Sequence, residues 1–344
     1  MSDKRVHGRA WLKLLVLLLL AAAVAVFYLG NAYTRFNSTP LNVAAGGGSI
    51  DVARGSSFRD IVADLRRQGL STANPLYWRA LAAQMRVAGK LHAGEYALEP
   101  GITPRQLLAN MAAGRVLQRN FTIVDGWTFA ELRQALARAE KLQHDSANLD
   151  DAAVMQKIGA GGEAPEGRFL PETYAYVKGD SDLDILRRAH AAMVKTLDEL
   201  WPGRAPDLPL ATPYEALILA SIVEKETGLP VERAQIAGVF VRRLQNHMLL
   251  QTDPSVIYGM GANYAGNIRK SDLTTDTPFN TYTRAGLPPT PIALPGRPAL
   301  VAALHPAAGD ALYFVARGDG GHVFARTLEE HNRHVDCYQR KRCR

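Results

Sequence analysis

An unbroken uncharged run dominates the start of the chain. The 21 residues between Lys13 and Arg35 carry no charge, and at about 1.5 Å per residue they span roughly the 30 Å of a bilayer core. The run Leu14–Leu20 is apolar on every face of a helix, which suits lipid better than a soluble core. We therefore predict a transmembrane anchor at residues 14–34, with the basic residues 1–13 in the cytoplasm and the rest of the chain exported.

A cleaved signal peptide is the competing interpretation of this run. Ala23 and Ala25 resemble a small-residue cleavage site. They lie inside the apolar run, however, and the run exceeds the roughly 7 to 15 residues of a signal-peptide core. We therefore favour an uncleaved anchor, and the glycine-rich residues that follow predict a flexible linker at residues 35–49.

Beyond the linker one pattern of apolar and polar positions occurs three times. A short strand-like run reaches a glycine, a Ser or Thr follows two positions later, and apolar residues stand six and ten positions after the glycine. The three sets are Gly55, Ser57, Ile61 and Leu65; Gly101, Thr103, Leu107 and Met111; and Gly126, Thr128, Leu132 and Leu136. Glycine permits the tight turn, the hydroxyl caps a helix, and the spacing gives that helix one apolar face. The pattern predicts three strand-turn-helix units, and generic α+β packing without a binding role explains each unit taken alone.

A fourth apolar helix carries two acids at its end. Thr212 is a good N-cap, Pro213 suits the first helical position, and Gly228 marks the end. On a helical wheel Glu226 lies within the apolar arc, whereas Glu224 lies on the opposite side.

The wheel predicts different roles for the two acids. Desolvation on the apolar face should raise the pKa of Glu226, as a general acid near neutral pH requires. An acid that simply emerges at the surface past the core explains Glu226 equally well. Glu224, beside Ser221 and Lys225, is predicted to meet solvent or a structural cation.

Two polar, turn-rich segments follow this helix, at residues 249–261 and 279–296. Their amides, hydroxyls and tyrosine rings are groups that bind sugars, and functional residues concentrate on loops held by a scaffold. A rigid structural loop explains any single residue as well, and Asp253 also fits a turn in which Asp bonds its own backbone. We expect a substrate-binding rim around Glu226 formed by Gln251, Thr252, Asp253, Asn280, Thr281 and Tyr282.

Three remaining features narrow the possible functions. Residues 1–13 carry +3 of the net charge of +7, and the basic tail at residues 337–344 carries the other +4. The residues between them have no net charge, so nucleic-acid binding is unsupported. Cys337 and Cys343 predict one small disulfide, and no motif indicates a metal or another cofactor. Residues 312–325 predict a β-hairpin, on which His322 is more readily structural than catalytic.

Several of these segments, in this order and spacing, closely resemble the YceG-like (MltG-type) endolytic murein transglycosylases. The matching stretches are AGEYAL, EGRFLPETYAY, ASIVEKET, LQTDPSVIYGMG, NTYTRAGLPPTPIALPG, HPA, YFVARGDGGHVF and HN. The resemblance implies an α+β fold with a small LysM-like βααβ module at residues 50–116 and a larger α+β catalytic domain at residues 117–336. The tail at residues 337–344 has no counterpart in that pattern.

The resemblance also implies a chemistry. The catalytic acid would be the second glutamate of EKE, Glu226, and no metal or cofactor would be needed. The reaction would cleave the β-1,4 bond between N-acetylmuramic acid and N-acetylglucosamine without water, leaving a 1,6-anhydromuramyl end. The implied partners are newly made peptidoglycan strands beside the inner membrane, and peptidoglycan synthases with which strand length is set. Two alternatives stay open: a hydrolase that pairs Glu226 with Asp253 or Glu224, and a membrane-anchored glycan-binding protein without catalysis.

Overall fold

The computed structural model describes residues 4–343, with side chains described from Trp11 onward. Residues 1–3 of the predicted cytoplasmic segment and Arg344 of the predicted tail lie outside the described residues. The helices are α1 (Lys4–Ser38), α2 (Phe58–Arg67), α3 (Pro75–Met85), α4 (Pro104–Ala112), α5 (Phe129–Ala137), α6 (Asp151–Ile158), α7 (Asp182–Leu200), α8 (Pro213–Glu226), α9 (Arg233–Gln245), α10 (Asp253–Met260), α11 (Lys270–Thr274), α12 (Arg297–Leu304) and α13 (Leu328–His334). The strands are β1 (Gly48–Val52), β2 (Gly94–Leu98), β3 (Gln118–Thr122), β4 (Thr173–Val177), β5 (Tyr313–Ala316) and β6 (His322–Ala325). Helices and strands are mixed along the chain, as the α+β prediction requires.

The chain divides into two compact units, and the division falls within β3, between Arg119 and Asn120. Each unit has a hydrophobic core of its own. The predicted boundary between residues 116 and 117 lies about three residues earlier.

Helix α1 contains the predicted anchor and is longer than the predicted 14–34. Its segment Trp11–Ser38 is long and apolar enough to cross a membrane, a test that a signal sequence would also pass. The helix extends beyond the uncharged run because Phe36, near its end, packs into the core of the first unit and is buried.

The segment 35–49, predicted to be a flexible linker, contacts the first unit through a few of its residues. Leu41 is buried, and its peptide nitrogen donates to the carbonyl of Ile102 at 2.8 Å. The glycine run had indicated flexibility, but the apolar side chains before it bind the segment to the first unit. Phe36 and Leu41 therefore hold this segment to the first unit, while the glycine-rich residues before β1 remain a predicted linker.

The first unit has the element order β1, α2, α3, β2, followed by α4. Strands β1 and β2 are antiparallel, with Gly48 opposite Leu98 and Val52 opposite Gly94. The core beneath them includes the fully buried side chain of Trp78.

The three strand-turn-helix units are confirmed. Ser57, Thr103 and Thr128 each cap their helix, and each takes part in a reciprocal capping box with the third helical residue. The three preceding glycines have φ between 79° and 91°, which a side chain would disfavour. The apolar residues at the predicted spacing, from Ile61 to Leu136, are all buried. Local sequence therefore specified these units.

The second unit is built around α8. Every residue from Ala216 to Val223 is buried, and the helix packs against α7, α9, α10 and α12. Strand β3 pairs with β4, and β5 with β6 as an antiparallel hairpin in which Tyr313 lies opposite Ala325. The predicted hairpin is confirmed, as is the disulfide between Cys337 and Cys343.

Candidate active site

Helix α8 carries Glu226 as its last residue. At the other end the hydroxyl of Thr212 accepts a hydrogen bond from the peptide nitrogen of Glu215 at 3.2 Å, and Pro213 is the first helical residue. Thr227 has an extended backbone, with φ −145° and ψ 134°, so the helix stops at Glu226. The partial negative charge at a helix C-terminus disfavours an anion there, so this position favours a protonated carboxyl group.

The carboxyl group of Glu226 lies among groups from three other parts of the chain. The hydroxyl of Thr252 donates a hydrogen bond to Oε1 of Glu226. Burial raises the pKa of Glu226 to about 7, and the negative charge of Asp253 acts in the same direction. The hydrogen bond from Thr252 and the charges of His322 and Arg243 oppose this rise. Glu226 can therefore hold a proton at neutral pH and has groups nearby that stabilise the anion once the proton leaves.

Glu224 has a different environment, as predicted, and a structural cation as its partner. Its side chain is only 6% exposed. One carboxylate oxygen accepts from the peptide nitrogen of Gly296 at 3.0 Å, and the other is 3.5 Å from Nη2 of Arg233. Burial raises the pKa of Glu224, although both contacts oppose the rise. This glutamate joins α8 to the start of α12 and to α9, which is a structural role.

The side of α8 that the wheel shows as polar is exposed only at its end, where Lys225 lies. Ser221 is fully buried, and its hydroxyl donates to the carbonyl of Ile218 at 2.7 Å and accepts from the peptide nitrogen of Ile292 at 3.0 Å. The wheel placed the two acids on different sides of α8, but it could not show that the helix is enclosed on all sides from Ala216 to Val223.

The segment 249–261, predicted to be a loop, is mostly helix α10, and the residues just before that helix lie against the loop at residues 279–296 beside Glu226. The peptide nitrogen of Gln251 donates to the carbonyl of Thr281 at 3.1 Å. The peptide nitrogen of Thr252 donates to the Thr281 hydroxyl at 3.0 Å, and Ser255 lies 2.8 Å from the same hydroxyl. Thr281 thus fixes the segment whose Thr252 hydroxyl reaches Glu226.

Asp253 and Tyr282 join the loops at a second point. The phenol of Tyr282 donates to Oδ1 of Asp253 at 2.6 Å. Burial raises the pKa of Tyr282, and the contact with Asp253 raises it further, so the phenol keeps its proton for this bond. Asp253 is exposed, Tyr282 is partly buried and Gln251 is exposed. These three predicted residues present polar atoms beside Glu226.

Asn280 differs from the other predicted rim residues. Its side chain is buried, and its amide nitrogen lies 2.7 Å from the carbonyl of Thr275 and 3.2 Å from two further carbonyls. Its amide oxygen accepts from the peptide nitrogen of Tyr282 at 2.9 Å. Asn280 therefore holds the loop in shape, as the buried Thr281 does.

Arg243 is a site residue that the sequence patterns did not reveal. It is buried near the end of α9, and its guanidinium donates to the carbonyls of Leu312 at 2.7 Å and Leu250 at 2.9 Å. It also reaches Oε1 of Gln251 at 3.3 Å and lies over the ring of Tyr313. A single buried cation thus ties the first loop to the hairpin. The only sequence signal was that Arg243 follows closely on the apolar residues Ile236 to Val241, and its neighbour Arg242 shares that signal.

His322 and Glu232 form the other unexpected pair. Glu232 lies directly before α9, and His322 is the first residue of β6. One carboxylate oxygen of Glu232 lies 2.8 Å from Nδ1 of His322, and the other accepts from the His322 peptide nitrogen at 2.9 Å. His322 belongs to a stretch that resembles the family pattern, but nothing in the sequence linked it to Glu232, 90 residues away.

Comparisons with known proteins found a matching family and several relatives. A family model described as the YceG-like family matches residues 50–337, which is most of the chain. The chain is 28% identical over 309 residues to an endolytic murein transglycosylase of Bacillus subtilis (strain 168), covering 84% of each chain.

Two further matches extend the comparison. An endolytic murein transglycosylase of Streptococcus pneumoniae serotype 2 is 26% identical over an alignment of 356 residues, which covers 93% of this chain and 63% of that protein. A crystal structure of a putative YceG-like protein from Listeria monocytogenes superposes with a TM-score of 0.52 at 29% identity, covering 84% of this chain and 99% of that one.

Proposed function

This chain belongs to the YceG-like family, and from that premise we propose that it is a peptidoglycan lytic transglycosylase with Glu226 as its catalytic acid. The reaction cleaves the β-1,4 bond between N-acetylmuramic acid and N-acetylglucosamine inside a glycan strand. The names of the Bacillus and Streptococcus relatives support the activity and the murein substrate. The assignment to Glu226 depends on one observation, which is that burial raises the pKa of its carboxyl group to about 7. This group lies beside the segments 249–261 and 279–296, which we call the paired loops.

One carboxyl group serves two proton transfers in this mechanism. Glu226 gives its proton to the glycosidic oxygen as the bond from that oxygen to C1 of the muramyl residue breaks. The muramyl C6 hydroxyl then forms a bond to C1, and its proton passes to the Glu226 carboxylate. The products are a free hydroxyl on N-acetylglucosamine and a 1,6-anhydromuramyl end, and Glu226 is protonated again. Intramolecular attack needs no ordered water and benefits from proximity.

The surroundings of Glu226 suit both halves of this cycle. Burial and the charge of Asp253 keep the proton in place before the reaction. The hydroxyl of Thr252 and the charges of Arg243 and His322 favour the carboxylate that exists between the two transfers. When some neighbouring groups stabilise the protonated form of a carboxyl group and others stabilise its anion, the group can act as acid and then as base near neutral pH.

Substrate contacts are proposed for the exposed part of the paired loops. Gln251, Asp253 and Tyr282 present an amide, a carboxylate and a ring with a phenol, which suit sugar hydroxyls and sugar faces. Thr252 holds the acid, while Asn280 and Thr281 act through the loop backbone.

The first unit is proposed to bind the glycan as a LysM-like module at residues 50–116. Its β1, α2, α3, β2 order supports this assignment. With α1 as an uncleaved anchor, the N-terminus would be cytoplasmic and the remainder periplasmic at the inner membrane. The enzyme would then act on nascent strands, terminating them in concert with peptidoglycan synthases.

A hydrolase is the second candidate, and the closeness of Asp253 to Glu226 is the observation that favours it. Paired carboxylates are the usual arrangement when water is the nucleophile. Asp253 is already hydrogen-bonded to Tyr282, which supports a role in setting the charge around Glu226.

The experiment that separates these functions is muropeptide analysis. Purified full-length protein in detergent is incubated with isolated sacculi, and the released fragments are identified by mass spectrometry. The proposal expects 1,6-anhydromuramyl ends, with Glu226→Gln as the inactive control. New reducing ends would indicate the hydrolase, and glycan binding without new ends would indicate a binding protein.

A further inference from the structure

Glu232 and His322 form a buried clamp beside the proposed acid. Their side chains are only 9% and 11% exposed. Glu232 occupies the N-cap position of α9 but makes no side-chain cap for that helix. Both its oxygens are used by His322 instead, through the ring nitrogen Nδ1 and the peptide nitrogen. These two contacts fix the orientation of the His322 ring.

The hairpin backbone is shaped to admit this clamp. A Cβ atom at Gly321 would clash first with Nη2 of Arg317 and would also lie 3.0 Å from Oε1 of Glu232, closer than such contacts normally occur. Glycine at this position therefore lets the carboxylate reach the start of β6. The ring of His322 also packs edge-on against Phe314 on the neighbouring strand, with centroids 5.3 Å apart.

The clamp fixes which ring nitrogen remains available. Burial raises the pKa of Glu232, but the hydrogen bonds from the His322 backbone and ring outweigh this and lower it overall. Glu232 is thus an acceptor only, so Nδ1 of His322 carries the hydrogen between them. Within the described part of the chain, no group forms a hydrogen bond with Nε2 of His322.

We propose that Nε2 of His322 binds a hydroxyl group of the saccharide placed against Glu226, and that Glu232 holds the ring in position for this contact. A sugar hydroxyl suits either state of the ring, because it can donate to a neutral Nε2 or accept from a protonated one. Glu224, two residues before Glu226, lies 3.5 Å from Nη2 of Arg233, which is next to Glu232, so the clamp lies near the end of α8 that carries Glu226. The inference rests on the proposed function for its substrate class.

Two substitutions separate the two ring nitrogens. The amide nitrogen of Asn occupies the place of Nδ1, so His322→Asn keeps a donor to Glu232 and removes only Nε2. The amide of Gln reaches the place of Nε2, so His322→Gln loses the bond to Glu232 and keeps a polar group toward the saccharide. A purely structural histidine would tolerate Asn better than Gln, and a saccharide-binding histidine would show the reverse order in binding.

Binding is measured with full-length protein in detergent and peptide-free glycan strands as the probe. In the Glu226→Gln background, we expect His322→Asn to weaken binding about tenfold, as loss of one hydrogen bond to a ligand would. His322→Gln should recover most of that loss. In protein with Glu226 intact, His322→Asn should raise KM by a similar factor while Tm moves by less than about 2 °C.

A matched control comes from another histidine paired with a carboxylate. Nε2 of His190 lies 3.2 Å from Glu163, and its side chain is 15% exposed, but it is not among the groups that act on Glu226. His190→Gln keeps that contact and should leave glycan binding within about twofold of the parent.

The outcomes decide the inference independently of the proposed function. If His322→Asn binds glycan as tightly as its parent, the contact through Nε2 is disproved. If intact protein makes no anhydro ends on sacculi, the proposed reaction fails, yet the comparison in the Glu226→Gln background still decides whether His322 binds the saccharide.

Discussion

Thr252 donates its hydroxyl hydrogen to the carboxyl group of Glu226, although the two residues belong to different elements and lie 26 positions apart. Thr252 is itself fixed by the hydroxyl of Thr281 at 3.0 Å. The proton affinity of the proposed acid therefore depends on how the loop around Thr281 packs against the loop around Thr252. This relationship makes the following expectations specific.

Replacement of the two glutamates should separate catalysis from structure. Glu226→Gln keeps the size of the side chain but removes the transferable proton, so cleavage should fall by roughly 10² to 10⁴ while the fold is kept. Glu224→Gln weakens the contact with Arg233 but keeps an acceptor for Gly296, so it should retain more activity. Release of anhydromuropeptides from sacculi measures both. An inactive Glu224→Gln beside an active Glu226→Gln would reverse the assignment.

Removal of the Thr252 hydroxyl should change the pH profile. The hydrogen bond from Thr252 lowers the pKa of Glu226, so Thr252→Val should raise that pKa. Because the acid must be protonated to start the reaction, the alkaline limb of kcat/KM should move to higher pH. Thr252→Ser restores the hydroxyl and is expected to restore the wild-type profile. An unchanged limb in Thr252→Val would show that the bond does not act on the catalytic proton.

The buried acid should cost stability at alkaline pH. The pKa of Glu226 is about 7 in the folded protein against an ordinary value of 4.5, with burial as the main cause. The favourable contribution of Glu226 to the free energy of unfolding is complete below about pH 4.5 and is lost as the pH rises through 7. Relative to Glu226→Gln, the wild type should therefore lose up to about 3 kcal/mol of unfolding free energy over this range.

Denaturant unfolding of both proteins between pH 4 and 8 tests this difference. Glu166 is a second buried carboxyl whose pKa burial raises to about 7, but it is common to both proteins and cancels in the comparison. A constant difference across the range would mean that Glu226 is solvated like an ordinary carboxylate.

The two loops should respond differently to substitution. Asn280→Ala removes a buried amide that bonds to backbone carbonyls, including that of Thr275, so unfolding free energy should fall by about 1–3 kcal/mol. Tyr282→Phe removes only the phenol that contacts Asp253, so it should chiefly alter KM. Thermal unfolding and steady-state kinetics measure the two effects. Equal losses of stability would remove Tyr282 from the proposed substrate contacts.

The topology proposed for α1 can be tested in cells. An uncleaved anchor predicts that protease added to spheroplasts digests the region after Ser38, while the mature protein keeps its N-terminal residues. Mass spectrometry of the purified protein gives its mature start. A start near residue 26, or a C-terminal region protected from protease, would contradict the proposed anchor.

Some features followed from the sequence because their causes are local. A glycine at positive φ, a hydroxyl two residues later and apolar residues four apart lie within one turn-helix segment, so Gly101, Thr103 and Leu107 predicted their own geometry. The uncharged run before Arg35 likewise predicted a helix of membrane-spanning length. Resemblance of short motifs, together with the wheel, singled out Glu226, although neither described what surrounds it.

Tertiary structure decided the environment of that acid. The wheel assumed a polar side for α8, yet Ser221 is buried there, because helices from both before and after it in the chain enclose it. The groups that act on Glu226 come from α9, the start of α10 with the residue before it, and the final hairpin. Arg243 and His322 are separated by about 80 residues, and the bond of His322 to Glu232 spans 90. The spacing of apolar residues shows which face of one helix or strand is apolar. The pKa of a side chain, in contrast, depends on every charge and every buried surface that folding brings close to it.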